Sequence, residues 1–218
     1  MFDLAQTIYF SKVLMIGAVM TVKITFGALI IAIIVGFIMA AIRTYSKIRL
    51  LEIMVNIYVE IFRGIPPLAQ LFIIYFGLAY AGVKLEPATA AVLGLGLIGG
   101  AMLTEVFRSG LNALHFGQRE AALAIGMTPM MALRYIIFPQ ATRITLPPLG
   151  SYAIGLLKDT SIVSAIAAPE IMFYARNLVT STFQTTLIYI LAALLYFILS
   201  FPLARVVDRL ERKQRAWT

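Results

Sequence analysis

The sequence contains no cysteine, a single histidine (His115) and few charged residues, which make up 13% of the chain. Without cysteine, a disulfide framework, a thiolate metal site and a cysteine nucleophile are all excluded. His115 lacks the second histidine of a metal-binding pair and is expected to lie in a surface loop. The sequence also lacks the G-x-x-x-x-G-K-[ST] motif, so the chain itself is not expected to bind ATP.

Acidic groups are too scattered to suggest catalysis within a membrane. The aspartates are Asp3, Asp159 and Asp208, which lie far apart along the chain. An intramembrane enzyme would need several catalytic groups that converge on one place. The protein is therefore not expected to be an enzyme.

Apolar residues, by contrast, form 61% of the 218 positions and give a mean hydropathy of +0.92. Since a helix needs about 20 mostly apolar residues to cross a bilayer, the sequence predicts an all-α, polytopic membrane protein. We expect one transmembrane domain over residues 1–218 with about five spanning helices. The predicted spans are Val13 to Ile42, Leu51 to Tyr80, Ala88 to Phe107, Pro147 to Ala168, and Thr186 to Val207.

The basic residues between these spans are distributed unevenly, which predicts the orientation. Cytoplasmic loops carry an excess of lysine and arginine, and this asymmetry, together with anionic lipid contact, explains the net charge of +8 without a nucleic-acid partner. The N-terminus is expected outside and the C-terminus in the cytoplasm, with the first span directing insertion because no signal peptide is evident. One side carries Arg43, Lys47, Arg49, Arg108, Arg119, Arg134, Arg143, Arg205, Arg209, Arg212, Lys213 and Arg215, and the other carries Lys12, Lys84, Lys158 and Arg176.

A polar stretch from Gln118 to Pro139 predicts two short helices joined by a bend on the cytoplasmic side. Gly126 suits the left-handed conformation that ends a helix. Thr128 suits an N-cap, and Pro129 suits the first helical position. The second helix, Met130 to Phe138, is expected to stop at Pro139.

The first of these helices carries Glu120 near its start, where the helix dipole favours an acidic residue. Ala121 and Ala122 follow, and their small side chains would let another protein approach closely. The residues alone leave two interpretations open, a protein-docking element and an amphipathic loop that lies on the lipid headgroups.

Charges inside the second span suggest a further site. Glu60 and Arg63 are three residues apart on one helical face, where a mutual ion pair is favoured over contact with substrate. The sequence Gly64-Ile65-Pro66-Pro67 interrupts this span, and by analogy with secondary transporters such a break marks a binding region. Gln70 and Tyr75 follow the break and are predicted to line a translocation path.

The fourth predicted span is the least apolar, because it contains Lys158, Asp159, Thr160 and Ser161. Lys158 and Asp159 are neighbours and point to different sides of a helix. At least one of them is expected to face a lumen or a subunit boundary, since a charge in hydrocarbon is costly. Glu105 is a further candidate for the path, whereas Glu170, near the outer end, is expected to be exposed.

The glycines of Gly94 to Gly99 fit the pattern G-x-G-x-x-G. A dinucleotide site would need this pattern in a strand–turn–helix unit, but here it lies within a predicted span. Close helix packing through small residues is therefore the favoured interpretation.

A series of longer motifs occurs in one order along the chain. We find RGIP at Arg63, QLF at Gln70, EVFR at Glu105, GQ at Gly117, EAA at Glu120, FPQA at Phe138, LPPL at Leu146 and LLKDTS at Leu156. From Arg63 to Glu211, the sequence resembles the polar amino acid branch of the ABC-importer permeases, which carry RGTP…QLF, AEIFR, an EAA loop, LPQA…LPPL and LLKDTS.

The resemblance implies a type I ABC importer permease fold with a pair of cytoplasmic coupling helices at about residues 117–139. In that family the EAA loop docks the ATP-hydrolysing subunit. The residues that this role would assign to coupling are Glu120, Ala121, Ala122, Gly126, Ile136 and Pro139. The resemblance also implies a location in the bacterial cytoplasmic (inner) membrane and a polar amino acid as substrate.

The implied partners are two ABC ATPase subunits, a second permease copy or a paralogue, and an extracytoplasmic amino-acid-binding protein, in addition to membrane lipids. The resemblance assigns no cofactor to this chain, because the ATPase would bind ATP and magnesium. The main alternative is a secondary carrier of small polar solutes driven by an ion gradient, which would need no ATPase.

Overall fold

The computed structural model describes residues 4–112 and 116–215, and its described residues form helices and short connections without a β-strand. The predicted all-α class is therefore confirmed, while His115 lies outside the described residues. The helices are α1 (Leu4–Tyr45), α2 (Arg49–Gly64), α3 (Pro67–Phe72), α4 (Leu78–Tyr80), α5 (Pro87–Asn112), α6 (Phe116–Ala124), α7 (Pro129–Ala132), α8 (Phe138–Asp159), α9 (Ile171–Thr182) and α10 (Thr185–Arg215).

Within the described part of the chain, three helices are long and apolar enough to cross a membrane, namely α1, α5 and α10. Two further pairs of segments reach that length and composition together but are bent, so the total is five spans if each bent pair counts as one. This agrees with the predicted five spans. Helix α1 is longer than predicted, with 42 residues and a length of about 63 Å at 1.5 Å per residue.

The first bent pair occupies the predicted second span. Helix α2 ends at Gly64, and Pro66 and Pro67 start α3, which continues through a π-helical turn at Ile73–Gly77 into α4. The two halves meet at an angle of 110°. The predicted interruption is confirmed, and its size shows that this region does not cross the membrane as one straight helix.

The second bent pair extends the predicted fourth span in both directions. Helix α7, a π-helical turn at Leu133–Ile137, helix α8 and a 3₁₀ segment at Thr160–Ile166 follow one another, and α9 then leaves at an angle of 49°. The expectation that Pro139 stops the helix is wrong. Pro139 lies in the first turn of α8, directly after the π-helical turn at Leu133–Ile137, and the helix continues past it.

Small residues bring α1 and α5 into close contact. A Cβ atom added to Gly96 would lie 2.7 Å from the Ile31 side chain, and one added to Gly36 would lie 2.8 Å from Leu103 Cβ. A Cβ atom at Gly99 would lie 2.7 Å from Ala32 Cβ on α1 and 2.1 Å from the hydroxyl of Tyr152 on α8. These glycines therefore serve helix packing, as the sequence predicted for the G-x-G-x-x-G pattern.

Two apolar clusters form the interior. One joins α1 to α3, α5, α8 and the 3₁₀ segment around Leu71, Leu95 and Leu156. The other joins the start of α1 to α9 and α10 around Leu14 and Ile188. Many large apolar side chains remain exposed on the outer faces of α1, α2 and α10, as expected for helices whose surroundings are lipid or a second apolar chain.

Candidate functional site

The segment at residues 117–139 has the predicted helix–bend–helix backbone. Gly126 adopts a left-handed φ of +83° just after α6. The Thr128 hydroxyl accepts a hydrogen bond from Met131 N at 3.3 Å, and Pro129 occupies the start of α7. Gly126, Thr128 and Pro129 each suit the backbone conformation at their positions, so the local sequence accounts for the bend in this segment.

The exposed surface of this segment is partly apolar. Ile125 is 75% exposed and Met130 is 69% exposed, and Glu120 and Ala121 are exposed as well. Ala122, however, is only 2% exposed. It therefore packs inside the segment and cannot offer the close approach to another protein that its small size suggested, whereas Ala121 can.

The remaining predicted residues of the segment join it to the rest of the molecule. Ile136 is half-buried in the π-helical turn, and Pro139 is exposed at the start of α8. A small cavity of about 180 Å³ between this segment and the end of α1 is lined by Tyr45, Pro129, Met130, Leu133 and Ile137. The segment thus rests directly against the last turn of α1.

Glu105 is part of an ion cluster in this structure. Its carboxylate accepts hydrogen bonds from the guanidinium of Arg43 on α1, and from Arg108 on its own helix at 2.8 Å. The cluster is only about a quarter exposed at Glu105. Glu105 therefore ties the end of α1 to the end of α5.

Gln70 holds the break between α2 and α3. Its side-chain amide donates to the carbonyl oxygens of Phe62 at 2.9 Å and Ile65 at 2.6 Å. The side chain is 5% exposed, and Tyr75 packs against the apolar cluster around Leu71. Gln70 thus pairs backbone carbonyls that the helix break left free, and it does not border an open path here.

Glu60 and Arg63 are both exposed, and no salt bridge joins them. Among the described residues, both salt bridges involve Glu105. The ion pair that was favoured for Glu60 and Arg63 is therefore wrong. A spacing of three residues puts two side chains on one face, but nothing on this open face holds them together.

Of the four polar residues where α8 meets the 3₁₀ segment, two are exposed and two are at least partly buried. Lys158 and Asp159 are both exposed on the surface of the isolated chain. Thr160 is completely buried and donates its hydroxyl to the Leu157 carbonyl at 2.7 Å, so it completes the helix end. Ser161 is half-buried beside them.

Lys158 and Ser161 border an open groove of about 740 Å³ between the end of α8, α9 and α10. Its wall is mostly apolar and includes several hydroxyl groups. The other residues that line it are Met172, Tyr189, Ala192, Ala193, Tyr196, Phe197 and Ser200. The groove therefore offers one ammonium group and several hydroxyl groups on an otherwise apolar helix surface.

Glu170 lies behind this groove and is 0% exposed, so its predicted exposure is wrong. One carboxylate oxygen accepts a hydrogen bond from Phe173 N at 2.8 Å and caps α9, and the other accepts from the hydroxyl of Tyr196. The N–H of Ile171 lies 3.4 Å from the Thr21 hydroxyl oxygen on α1. This acid therefore joins α9 to α10 from inside the protein.

Sequence reasoning missed the buried role of Glu170, and it missed Tyr189, Tyr196 and Ser200. Glu170 stands two residues after a buried alanine and directly before an amphipathic helix, which is a recognisable N-cap position. The tyrosines and the serine lie in an apolar span that has no breaks before Pro202, so only the tertiary fold brings them together. Among the described residues, no cluster of three histidine, aspartate or glutamate side chains is arranged to hold a metal ion.

The spans, the groove and the two short helices together define a membrane permease. Residues 32–216 match the family described as the binding-protein-dependent transport system inner membrane component. The chain belongs to this family, and it is a permease subunit of an ATP-driven importer.

Individual relatives and a solved structure agree with this assignment. The chain is 38% identical over 195 residues to the probable amino-acid permease YxeN of Bacillus subtilis, covering 88% of this chain and 87% of the relative. It is 36% identical over 201 residues to the probable glutamine ABC transporter permease GlnP of the same species, covering 91% and 92%. A crystal structure of an amino acid ABC transporter superposes with a TM-score of 0.90 at 33% identity over 98% of this chain and 99% of that chain.

Proposed function

We propose that this permease imports a polar amino acid across the bacterial cytoplasmic membrane. The observation that carries the proposal is the exposure of Lys158 and Asp159 near the groove, at the end of a membrane-spanning helix. Charges are costly in contact with hydrocarbon, so they face a water-filled path or another subunit. The names of the relatives, which refer to amino acids and to glutamine, support the same substrate class.

Lys158 lines the groove and supplies a charge that complements one end of an amino acid. Its ammonium group would bind the α-carboxylate. Asp159 does not line the groove and would face the second chain or the path from beside it. The hydroxyls of Ser161, Tyr189 and Ser200 supply hydrogen-bonding groups for a polar side chain. Which amino acid fits depends on these hydroxyls and on the chain that closes the groove.

The groove is open on one side in the single chain, so a second permease chain would complete the path. That chain is a second copy or a paralogue. An extracytoplasmic amino-acid-binding protein would deliver the substrate at the outer end. In the proposed orientation, the N-terminus is outside and the C-terminus is in the cytoplasm, as the distribution of basic residues suggests.

We further propose that the segment at residues 117–139 docks an ABC ATPase subunit. Glu120, Ala121, Ile125 and Met130 are exposed there and would form the contact. Since this segment lies against Tyr45 and leads through the π-helical turn into α8, movement of the ATPase would reach Lys158 through one continuous stretch of helix. ATP and magnesium would be bound by the ATPase.

Uptake measurements test the substrate proposal. The permease is reconstituted with its ATPase and binding protein, and accumulation of radiolabelled polar amino acids is measured. Lys158→Gln should reduce uptake by about tenfold or more, because it loses a charge-assisted contact of about 1.5–3 kcal/mol. Asp208→Asn, at an exposed position on α10, is the control and should transport normally. Wild-type uptake by Lys158→Gln would refute the proposed site.

Binding of the ATPase tests the docking proposal. Gly126→Asp and Glu120→Lys should leave the permease in the membrane but weaken its association with the ATPase. Gly82→Asp is a matched control, because Gly82 and Gly126 both have a left-handed φ and open space around the missing Cβ. Both glycine variants pay a similar backbone penalty of about 1 kcal/mol, so only a docking role separates them. Equal retention of the ATPase by all three variants would contradict the assignment.

A third measurement separates an importer from a secondary carrier and tests the orientation. Uptake should stop when ATP is removed and should persist when the proton and sodium gradients are abolished.

A reporter that works only in the cytoplasm should be active after Arg215 and silent within residues 80–87. The opposite reporter pattern would invert the topology and remove the ATPase from residues 117–139.

A further inference from the structure

A further cavity, separate from the groove at Lys158 and from the small cavity at Tyr45, lies between α1, α5 and α8. Its volume is about 290 Å³, and its wall is almost entirely apolar. The residues that line it are Ile33, Phe37, Phe107, Leu111, Phe138, Ala141, Thr142, Thr145, Leu146 and Leu149. We call this cavity the α1–α5–α8 cleft.

The two threonines do not make the α1–α5–α8 cleft polar. The Thr142 hydroxyl donates to the Phe138 carbonyl at 2.8 Å, and the Thr145 hydroxyl donates to the Ala141 carbonyl at 3.0 Å. Both hydroxyls are therefore used within α8. A polar solute would find no free partner here, whereas a hydrocarbon chain would lose nothing.

The dimensions of the cleft match one leaflet of a bilayer. Its lining on α8 runs from Phe138 to Leu149, which corresponds to about 16 Å along the helix axis. Half of a hydrocarbon core of about 30 Å is about 15 Å. An acyl chain that lies parallel to α8 would therefore reach from the interface towards the membrane centre.

One end of the cleft is basic. Arg43 and Arg108 lie near the ends of α1 and α5, where both bind Glu105, and Arg143 lies on α8 five residues after Phe138. The end of α5 lies against this part of α8, since a Cβ atom at Gly110 would lie 2.3 Å from Thr145 Cγ2. With three arginines against one glutamate, this end retains positive charge, and Arg143 is exposed without an ion pair among the described residues.

We propose that the α1–α5–α8 cleft binds an anionic phospholipid, with one acyl chain in the cleft and the phosphate headgroup near Arg143 and the Glu105 cluster. Basic pockets between membrane helices are suited to such headgroups. The apolar wall and the basic end select this occupant over an apolar protein segment, which would gain nothing from the arginines. The site is independent of the amino-acid groove, and its failure would leave the proposed transport function intact.

Photo-crosslinking in nanodiscs tests the proposal. The transporter, with its ATPase subunits, is placed in nanodiscs that contain phosphatidylglycerol with a diazirine in one acyl chain, and cross-linked peptides are identified by mass spectrometry. We expect adducts concentrated in residues 138–149 and 103–112. Adducts spread evenly over the exposed face of α10, at Phe197 and Ile198 for example, would overturn the proposal.

Two variants with matched controls separate the acyl chain from the headgroup. Thr142→Phe fills the cleft and should remove the concentrated adducts, whereas Ile144→Phe, exposed on the same helix but outside the cleft, should keep them. Arg143→Gln should reduce the preference for phosphatidylglycerol over phosphatidylcholine by about fivefold, equivalent to about 1 kcal/mol per arginine. Arg176→Gln on α9 should leave that preference unchanged. If Thr142→Phe and Ile144→Phe give the same adducts, the proposed acyl-chain site is refuted. If Arg143→Gln and Arg176→Gln show the same lipid preference, the proposed headgroup site is refuted.

Discussion

The two helix breaks in this permease are both close to proline, yet they are held in different ways. At the first break, between α2 and α3, the Gln70 amide bonds to Phe62 and Ile65, which lie on the same short stretch of chain. At the second, before α9, the Glu170 carboxylate bonds to Phe173 N and to Tyr196 on α10. The first break is closed locally, and the second is bonded to the rest of the bundle.

The contact with α1 increases this difference. Gly17 lies so close to the second break that an added Cβ atom would be 2.8 Å from backbone atoms of Glu170 and Ile171. Near the first break, an added Cβ atom at Gly64 would have no neighbour within 4 Å. The comparison indicates that the hydrogen bonds of Gln70 stay within the α2–α3 elbow, whose contact with the bundle is apolar packing through Leu71, whereas the second break is a fixed joint between α1, α9 and α10.

The largest effect is expected from Glu170→Leu. This change leaves the Tyr196 hydroxyl unpaired and removes the cap of α9, which together cost about 2–5 kcal/mol. The midpoint temperature of unfolding, measured in detergent by size-exclusion chromatography after heating, should fall sharply. In the double variant Glu170→Leu/Tyr196→Phe, part of the loss should return because the unpaired hydroxyl is gone. Wild-type stability of the single variant would show that the second break is not fixed by this acid.

The next largest difference in stability is expected between Gly17→Ala and Gly64→Ala, one variant at each break. Gly17→Ala should destabilise the protein by about 1–3 kcal/mol, because the clash is with backbone that cannot move aside. Gly64→Ala should be neutral or stabilising by up to about 1 kcal/mol, since alanine restricts the unfolded chain and meets open space. The same unfolding measurement on both variants decides this. Equal effects would mean that the two breaks are equally restrained.

The smallest effect is expected from Gln70→Leu, which leaves the Phe62 and Ile65 carbonyls without their side-chain donor. We expect a loss of about 1–2 kcal/mol, confined to the α2–α3 elbow. Hydrogen exchange followed by mass spectrometry should accelerate in residues 61–72 and remain unchanged in residues 165–180. Faster exchange in both regions would show that the elbow is coupled to the second break.

Much of the fold follows from the sequence, because span length and local helix signals are short-range properties. Apolar runs located α1, α5 and α10, although α1 starts nine residues earlier and α10 ends eight residues later than predicted. Gly126, Thr128 and Pro129 defined the bend that the structure contains. The helix end at Pro139 was misjudged because the π-helical turn that precedes it has no marker in the sequence.

The side-chain partners were less predictable, because they depend on tertiary packing. The Glu60–Arg63 pair follows helix spacing but does not form, while Glu105 pairs with Arg43, which is 62 residues away. Glu170 was expected on the surface because it lies near the end of a span, yet α1 and α10 enclose it. Spacing along one helix therefore shows which side chains can meet, and packing between helices decides which of them do.

The length of α1 has a consequence for the shape of the transporter at the membrane surface. Lys12 and Arg43 are separated by about 46 Å of helix, which is close to the thickness of a bilayer with its headgroups, about 40–45 Å. With both charges at headgroup level, the first two turns of α1 would stand above the lipid. Phe10 packs there against residues of α9 and α10, so the three helices would form a raised rim. A water-soluble partner that arrives at this side would meet the rim before it meets the membrane.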